Sequence, residues 1–297
     1  MGKILVGISS WTEKTLIEGG HFYPLTAKSP EARLRFYATQ FPLVEVDATY
    51  YAMPEEKTAD LWVNRTPTNF TFNIKAFRLF TQHGTALAML PPEIRNQVPQ
   101  RLKDKKNFYY RDLPEEITSE LWRLFAKALL PLDSAGKLGV VLFQFPPWFM
   151  PSHETLAYMA FCKEKLPQYH IAVEFRHWSW LNDKNLGRTM DLLKAANITY
   201  VCVDEPQGFN NSVPPIVEAT SDIGVVRFHG RNTKDWEKPS QAASGRFNYL
   251  YSEDELKEWV PRIKELSLKT KLLHVVFNNC YDDKAIRNAR QMGLISD

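Results

Sequence analysis

Eight short apolar segments, most of them separated by stretches with helical periodicity, constrain the fold of this chain more than any other feature. Each is rich in Val, Ile, Leu and Phe and ends in polar residues, as strands buried on both faces of a parallel sheet do. The predicted strands are residues 3–10, 43–51, 70–77, 138–147, 170–178, 198–206, 224–231 and 272–280. Eight strand–helix units favour a closed barrel, and no GxGxxG or Walker pattern indicates an open nucleotide-binding sheet. We therefore predict one α/β domain over residues 1–297, a (β/α)8 TIM-type barrel.

Helical segments alternate with these strands, with two exceptions. Ser29, followed by a proline, predicts a helix start after the first strand, and Ser252-x-x-Glu255 is a capping box. Residues 77–138 form a long insertion between strands three and four. Residues 205–220, between strands six and seven, contain a Pro-Pro pair and no helical period, so we expect a helix to be missing there.

Composition and charge are those of a soluble globular protein. Of 297 residues, 44% are hydrophobic and 24% charged, and the net charge of +3 is too small for a protein that coats nucleic acid. Cys162, Cys202 and Cys280 form no CxxC pair, which argues against a disulfide framework and favours a reducing compartment. Because no signal peptide or run of roughly 18 apolar residues is present, we expect a cytoplasmic protein without a membrane partner.

Polar residues are concentrated at the carboxyl ends of the predicted strands, the face where the active sites of such barrels lie. Asp47 or Glu174 would act as general acid or base, with His229 as a proton shuttle. The candidate substrate-binding residues are Trp11, Tyr51, Lys75, Gln144, Arg176, Asp204, Arg227, Arg231 and Asn278. Their mixture of cations and carboxylates suits an anionic ligand, which Gln144 and Asn278 would orient.

The segment VVRFHGRN, residues 225–232, carries three ionisable groups at alternate positions. Because residues i and i+2 of a strand share a face, Arg227, His229 and Arg231 are expected on one wall of a cavity. A guanidinium fork matches carboxylate or phosphate, which favours an anionic ligand beside these arginines. The alternative is an internal salt-bridge network in which carboxylates of neighbouring strands neutralise them.

Several motifs resemble those of the YecE-like family, the seventy-second family of domains of unknown function, along essentially the whole chain. The matching segments are GISSW followed by FYP, FPLVEVDATYYAMP, FTFNIKAF, GVVLFQFPPWF, AVEFRHWSW, VRFHGRN and VFNNCYDDKAIRNA. The resemblance implies a TIM-type barrel and supplies no reaction. The segment TLIEGGH stands where members of the family often carry a second Trp, so the first loop is expected to differ in shape.

Three classes of function remain open. The leading hypothesis is an enzyme of hydrolase or lyase type that acts on an anionic, phosphate-bearing substrate at the strand ends. The alternatives are a nucleic-acid binding or processing module, with aromatic residues stacking bases and the basic segment 101–106 tracking phosphates, and a non-catalytic ligand-binding protein.

No metal or cofactor is assigned, and no pattern indicates the oligomeric state. A metal site is disfavoured because no HxH or HExxH spacing supports one. Its ligands would be Glu174, His177, Asp204 and His229. Cys280 is interpreted as a buried structural thiol rather than a nucleophile.

Overall fold

Eight parallel strands form a closed barrel in the computed structural model, which describes residues 1–238 and 245–296. The strands are β1 (Lys3–Ser9), β2 (Leu43–Val46), β3 (Thr71–Lys75), β4 (Leu138–Gln144), β5 (Ile171–Glu174), β6 (Thr199–Asp204), β7 (Ile223–Phe228) and β8 (Leu272–Phe277). Each strand pairs with the next, and β8 pairs with β1 from Lys3↔Leu272 to Ile8↔Phe277, which closes the sheet. The predicted (β/α)8 barrel is confirmed.

Helices surround the barrel. They are α1 (Lys14–Gly19), α2 (Pro30–Gln40), α3 (Ala48–Tyr51), α4 (Glu56–Asn64), α5 (Pro92–Arg95), α6 (Gln100–Lys103), α7 (Glu115–Ser134), α8 (His153–Lys165), α9 (Leu186–Ala195), α10 (Glu253–Leu268) and α11 (Lys284–Ser296). Ser29 Oγ accepts a hydrogen bond from Ala32 N at 3.1 Å, and Ser252 and Glu255 form the predicted capping box. Within the described residues, none of these helices has the length and hydropathy needed to cross a membrane.

Both irregular connections lie where they were expected. Residues 205–222 are all described and contain no helix between β6 and β7, while the insertion between β3 and β4 carries α5, α6 and α7. The second strand is shorter than predicted, because the chain turns into α3 after Val46. Asp47 therefore has helical backbone angles (φ −78°, ψ −23°) and lies above the barrel rather than within its wall.

The barrel interior contains polar side chains as well as apolar ones. Toward the amino ends of the strands, Asn73 accepts a hydrogen bond from Val140 N at 3.1 Å, and His274 is fully buried. A Cβ at Gly139 would lie 2.4 Å from Asn73 Oδ1, so glycine is required for this close packing. Burial lowers the pKa of His274 to about 3, so this imidazole stays neutral. Ionisable residues fill the layer above it, toward the carboxyl ends.

Candidate functional site

A buried ion-pair network closes the barrel below the carboxyl ends of its strands. Arg227 of β7 is fully buried, with Nη2 2.5 Å from Glu45 Oε1 and Nη1 in contact with Glu174. Ser9 Oγ donates a hydrogen bond to Glu45 at 2.6 Å, and Gln144 Oε1 lies 3.4 Å from Arg227 Nη1. Although burial opposes the charge, Glu174 and Glu45 raise the pKa of Arg227. One permanent cation therefore holds two carboxylates from different strands.

Glu174 is the centre of this network. Its Oε1 lies 3.2 Å from Arg176 Nη1 and 3.1 Å from His229 Nε2, and its Oε2 contacts Arg227. Burial alone would raise the pKa of Glu174, but Arg227, His229 and Arg176 together hold it well below its usual range. Glu174 is thus an ionised carboxylate with no exposed surface.

His229 connects Glu174 to Asn278, the residue that follows β8. Asn278 Nδ2 lies 2.9 Å from His229 Nδ1, so the amide donates to Nδ1 and the Nε2–H donates to Glu174. Burial lowers the pKa of His229 to about 4 despite the neighbouring carboxylate. The imidazole is therefore neutral near pH 7, with its tautomer set by its two partners.

Arg176 extends the network to Glu205, just past the end of β6. Arg176 Nη1 lies 2.8 Å from Glu205 Oε2 without a well-directed hydrogen bond, and Glu205 Oε1 accepts one from Val213 N at 2.8 Å. The guanidinium also lies 4.8 Å from the ring centroid of Trp236. Burial raises the pKa of Glu205 to about 7, although Arg176 opposes this shift.

Glu205 should make the stability of the fold depend on pH near neutrality. Its pKa rises from 4.5 to about 7 in the folded state, so the folded protein binds the proton more tightly and stability falls as pH rises through this window. As pH rises from about 5 to about 8, we expect the parent to lose about 2–3 kcal/mol of unfolding free energy that Glu205→Gln does not lose. Urea denaturation across this range measures the difference, and parallel stability curves for the two proteins would contradict it.

A cavity of about 490 Å³, here called the mouth cavity, opens above the network. Its charged lining residues are Glu13, Asp47, Lys75, Arg176 and Arg246. Lys75 Nζ lies 3.3 Å from Asp47 Oδ1, and their side chains are 12% and 26% exposed. Glu13 caps α1, with its carboxylate accepting a hydrogen bond from Leu16 N at 3.3 Å. Asp47 is therefore the partly exposed carboxylate with a cation beside it.

The structure brings nine of the twelve predicted site residues to this region. Six line the mouth cavity: Asp47, Tyr51, Lys75, Gln144, Arg176 and Asn278. Three more lie in the buried layer beneath it: Glu174, Arg227 and His229. Trp11, Asp204 and Arg231 do not line it.

Arg231 and Asp204 form an ion pair against α10 instead. Arg231 Nη2 lies 2.8 Å from Asp204 Oδ2 and 3.0 Å from Glu258 Oε2, and Asp204 also accepts a hydrogen bond from Trp259 Nε1 at 2.7 Å. Gly230 has a φ of +88°, which ends the strand alternation before Arg231. The expectation that Arg231 shares a face with Arg227 and His229 is thereby corrected.

Trp11, in the loop after β1, packs against α4 and does not line the mouth cavity. It is 7% exposed, lies edge-to-face with Trp62 at a centroid distance of 6.0 Å, and its carbonyl accepts a hydrogen bond from the hydroxyl of Tyr23. Tyr51, by contrast, is 53% exposed at the rim.

Sequence reasoning did not assign several residues that shape this region. Glu45 could have been predicted from the sequence, because it is a single acidic residue within the apolar strand LVEV. Arg246 lines the mouth cavity from the loop after β7. Loops have no periodic sequence pattern, so the sequence does not predict this position. Burial and the charge of Arg176 lower the pKa of Arg246, so two guanidinium groups are neighbours there.

Cys280 is the cysteine that lines the mouth cavity. Cys280 Sγ donates to Ser9 O at 2.8 Å, and burial raises the pKa of this thiol well above its usual range. It is therefore an unreactive group rather than a nucleophile. Within residues 1–238 and 245–296, no three His, Cys, Asp or Glu side chains are grouped as metal ligands.

The fold and the site together define a TIM-type barrel protein with an ionisable cavity at the carboxyl ends of its strands. The chain belongs to the DUF72 family of proteins of unknown function, whose profile matches residues 5–295. It is 32% identical over 293 residues to the UPF0759 protein YunF of Bacillus subtilis (strain 168), which covers 97% of this chain and 93% of that protein.

Solved structures of two DUF72 family proteins are similar to the barrel over nearly its whole length. The protein from Thermotoga maritima has a TM-score of 0.77 and 30% identity, covering 99% of this chain and 98% of its own. The protein from Enterococcus faecalis has a TM-score of 0.79 and 26% identity, with 99% and 95% covered. These similarities confirm the family and the barrel and specify no reaction.

Proposed function

We propose that this protein is an enzyme of hydrolase or lyase type that binds an anionic, phosphate-bearing substrate in the mouth cavity. The observation that carries the proposal is the grouping of three cations, Lys75, Arg176 and Arg246, around one cavity of about 490 Å³. Asp47 pairs with Lys75, and Glu174 and Glu205 pair with Arg176, so these cations are already held in place. Phosphate oxygens accept hydrogen bonds from several cations at once, and a phosphate group in this cavity would add to these pairs.

Two of these cations are held on a shared aromatic support. The guanidinium carbons of Arg176 and Arg246 lie 4.8 and 5.8 Å from the ring centroid of Trp236. Glu174 and Glu205 fix Arg176 from below. An anion placed between the two guanidinium groups would relieve their mutual repulsion, which supports binding through a pre-positioned fork of donors.

Asp47 is the group best placed to transfer a proton. It is a partly exposed carboxylate of the mouth cavity, and Lys75 Nζ lies 3.3 Å from it. Glu174 and His229 have no exposed surface, so in this proposal they position Arg176 and Asn278 rather than touch the substrate. Asp47 would accept a proton from an attacking water in hydrolysis or from carbon in elimination.

Inorganic phosphate should bind to the parent protein, and Lys75→Met should weaken that binding at least about tenfold. A charge-assisted hydrogen bond contributes about 1.5–3 kcal/mol, and 1.4 kcal/mol corresponds to tenfold. Isothermal titration calorimetry, together with thermal melts across a phosphate series, measures the effect.

The control is Lys271→Met. Lys271 forms a similar pair with Asp222, 2.6 Å long, at the opposite end of the barrel, so its loss should leave phosphate binding unchanged. A parent protein whose melting temperature is indifferent to phosphate and sulfate would overturn the proposal.

A further inference from the structure

A second and larger cavity lies beside the mouth cavity, and it differs in character. It measures about 880 Å³ and is formed by the β3–β4 insertion, the loop after β4 and α8. We call it the aromatic cavity after six of its lining residues, Tyr109, Tyr110, Trp148, Phe149, Tyr158 and Phe161. We propose that it binds an uncharged aromatic ring of the same substrate whose anionic group lies in the mouth cavity. This inference rests on the proposed function.

The two cavities share one wall. His83 lines the mouth cavity, and its neighbour Gln82 lines the aromatic cavity. In the loop after β4, residues 145–147 face the mouth cavity and residues 148–149 face the aromatic cavity. The rings of His83 and Trp148 meet edge-to-face with centroids 5.7 Å apart. A substrate could therefore place its anionic group in the mouth cavity and its ring in the aromatic cavity, with a short linker passing over this wall.

Aromatic side chains dominate the lining of the aromatic cavity, and its other lining residues are Gln82, Arg111, Glu154 and Thr155. The hydroxyl of Tyr110 accepts a hydrogen bond from Trp122 Nε1 at 3.0 Å, and that of Tyr158 donates to Phe80 O at 2.8 Å. With these two hydroxyl groups already paired, the faces and edges of the aromatic rings are suited to contacts with a flat apolar ring. The occupant it fits is thus an aryl or heteroaryl group.

Trp148 is the side chain that we expect to contact the ring of the substrate most directly. It is 60% exposed, more than any other tryptophan described, and lies at the junction of the two cavities. An exposed indole at the edge of a cavity has a large face available for a ligand ring. Burial of His83 and the nearby charges of Arg78 and Lys75 lower its pKa to about 3, so the shared wall carries no charge of its own near Trp148.

Two probes that differ only in the ring test the inference. We expect 3-phenylpropyl phosphate to bind the full-length parent about tenfold more tightly than propyl phosphate, as measured by isothermal titration calorimetry. Trp148→Ala should remove this difference and leave the affinity for propyl phosphate unchanged. Because Trp148 is exposed, the variant should melt at the temperature of the parent.

Trp178→Ala is the matched control. Trp178 is 45% exposed and lines neither cavity, so this variant should keep the tenfold preference. Equal binding of the two probes by the parent, or a preference that survives in Trp148→Ala, would overturn the inference and leave the proposed function standing. Failure of both probes and of phosphate to bind would instead overturn the proposed function, and the inference with it.

Discussion

Arg227→Met should lower the free energy of unfolding by about 3–5 kcal/mol, because it leaves buried carboxylates without their counterion. Arg227 has no exposed surface and contacts Glu45 and Glu174, which are also fully buried. Methionine retains much of the apolar volume, so the loss reports the missing charge rather than a large void. Urea denaturation near neutral pH, with the midpoint and slope fitted together, measures the effect.

Two further variants test whether the loss of stability in Arg227→Met comes from the unpaired buried carboxylates. Lys257 and Glu253 form a surface pair 2.6 Å apart, with more than half of each side chain exposed, so Lys257→Met should cause no measurable loss. Adding Glu45→Gln to Arg227→Met removes one of the stranded charges and should recover part of the stability. An Arg227→Met protein as stable as the parent would show that the network contributes little.

Asp47→Asn should reduce turnover by about 10²–10⁴-fold while phosphate binding is retained, because the amide can still contact Lys75 but cannot accept a proton. The parent and the variant are compared with p-nitrophenyl phosphate and bis(p-nitrophenyl) phosphate as chromogenic probes. Asp222→Asn serves as the control, since Asp222 forms the corresponding lysine pair at the amino end of β7.

The possible outcomes separate the classes of function. A parent that binds phosphate but turns over neither ester would contradict hydrolysis of phosphate esters and favour a lyase or a non-catalytic ligand-binding protein. An Asp47→Asn variant with the full rate of an active parent would exclude Asp47 as the proton-transfer group. A steep loss of oligonucleotide affinity with added salt, in a parent that ignores phosphate esters, would favour nucleic-acid binding instead.

The barrel was predictable because its signal is local and repeated. Each strand is an apolar run that needs no knowledge of its neighbours, and eight such runs limit the ways of closing a sheet. The error in β2 has the same origin, because DATYY is rich in strand-forming residues and yet forms the turn that becomes α3. Tertiary contacts, such as that of Thr49 Oγ1 with Lys75 O at 2.6 Å, hold this turn.

The site was predictable only where strand geometry extends without interruption. Arg227 lies in β7, and His229, just past its end, continues the alternation and also contacts Glu174. Gly230 then changes the backbone direction, and Arg231 pairs with Asp204 and Glu258 beside α10. Arg246 reaches the mouth cavity from a loop, and no periodic pattern in the sequence describes such an approach. The sequence therefore identifies the charged residues of the site, but only the folded structure shows which residues they pair with.

The Arg227 network also has a consequence for the order in which the chain is made. Arg227 meets Glu174 across 53 residues of sequence and Glu45 across 182 residues. An amino-terminal fragment that ends before β7 therefore contains both carboxylates without the cation that neutralises them. We expect such a fragment to bury these two carboxyl groups only at a cost in free energy, because they must either stay charged without a counterion or take up protons. We therefore expect the polar centre of the barrel to assemble only once β7 is available, after six of the eight strands have already been made.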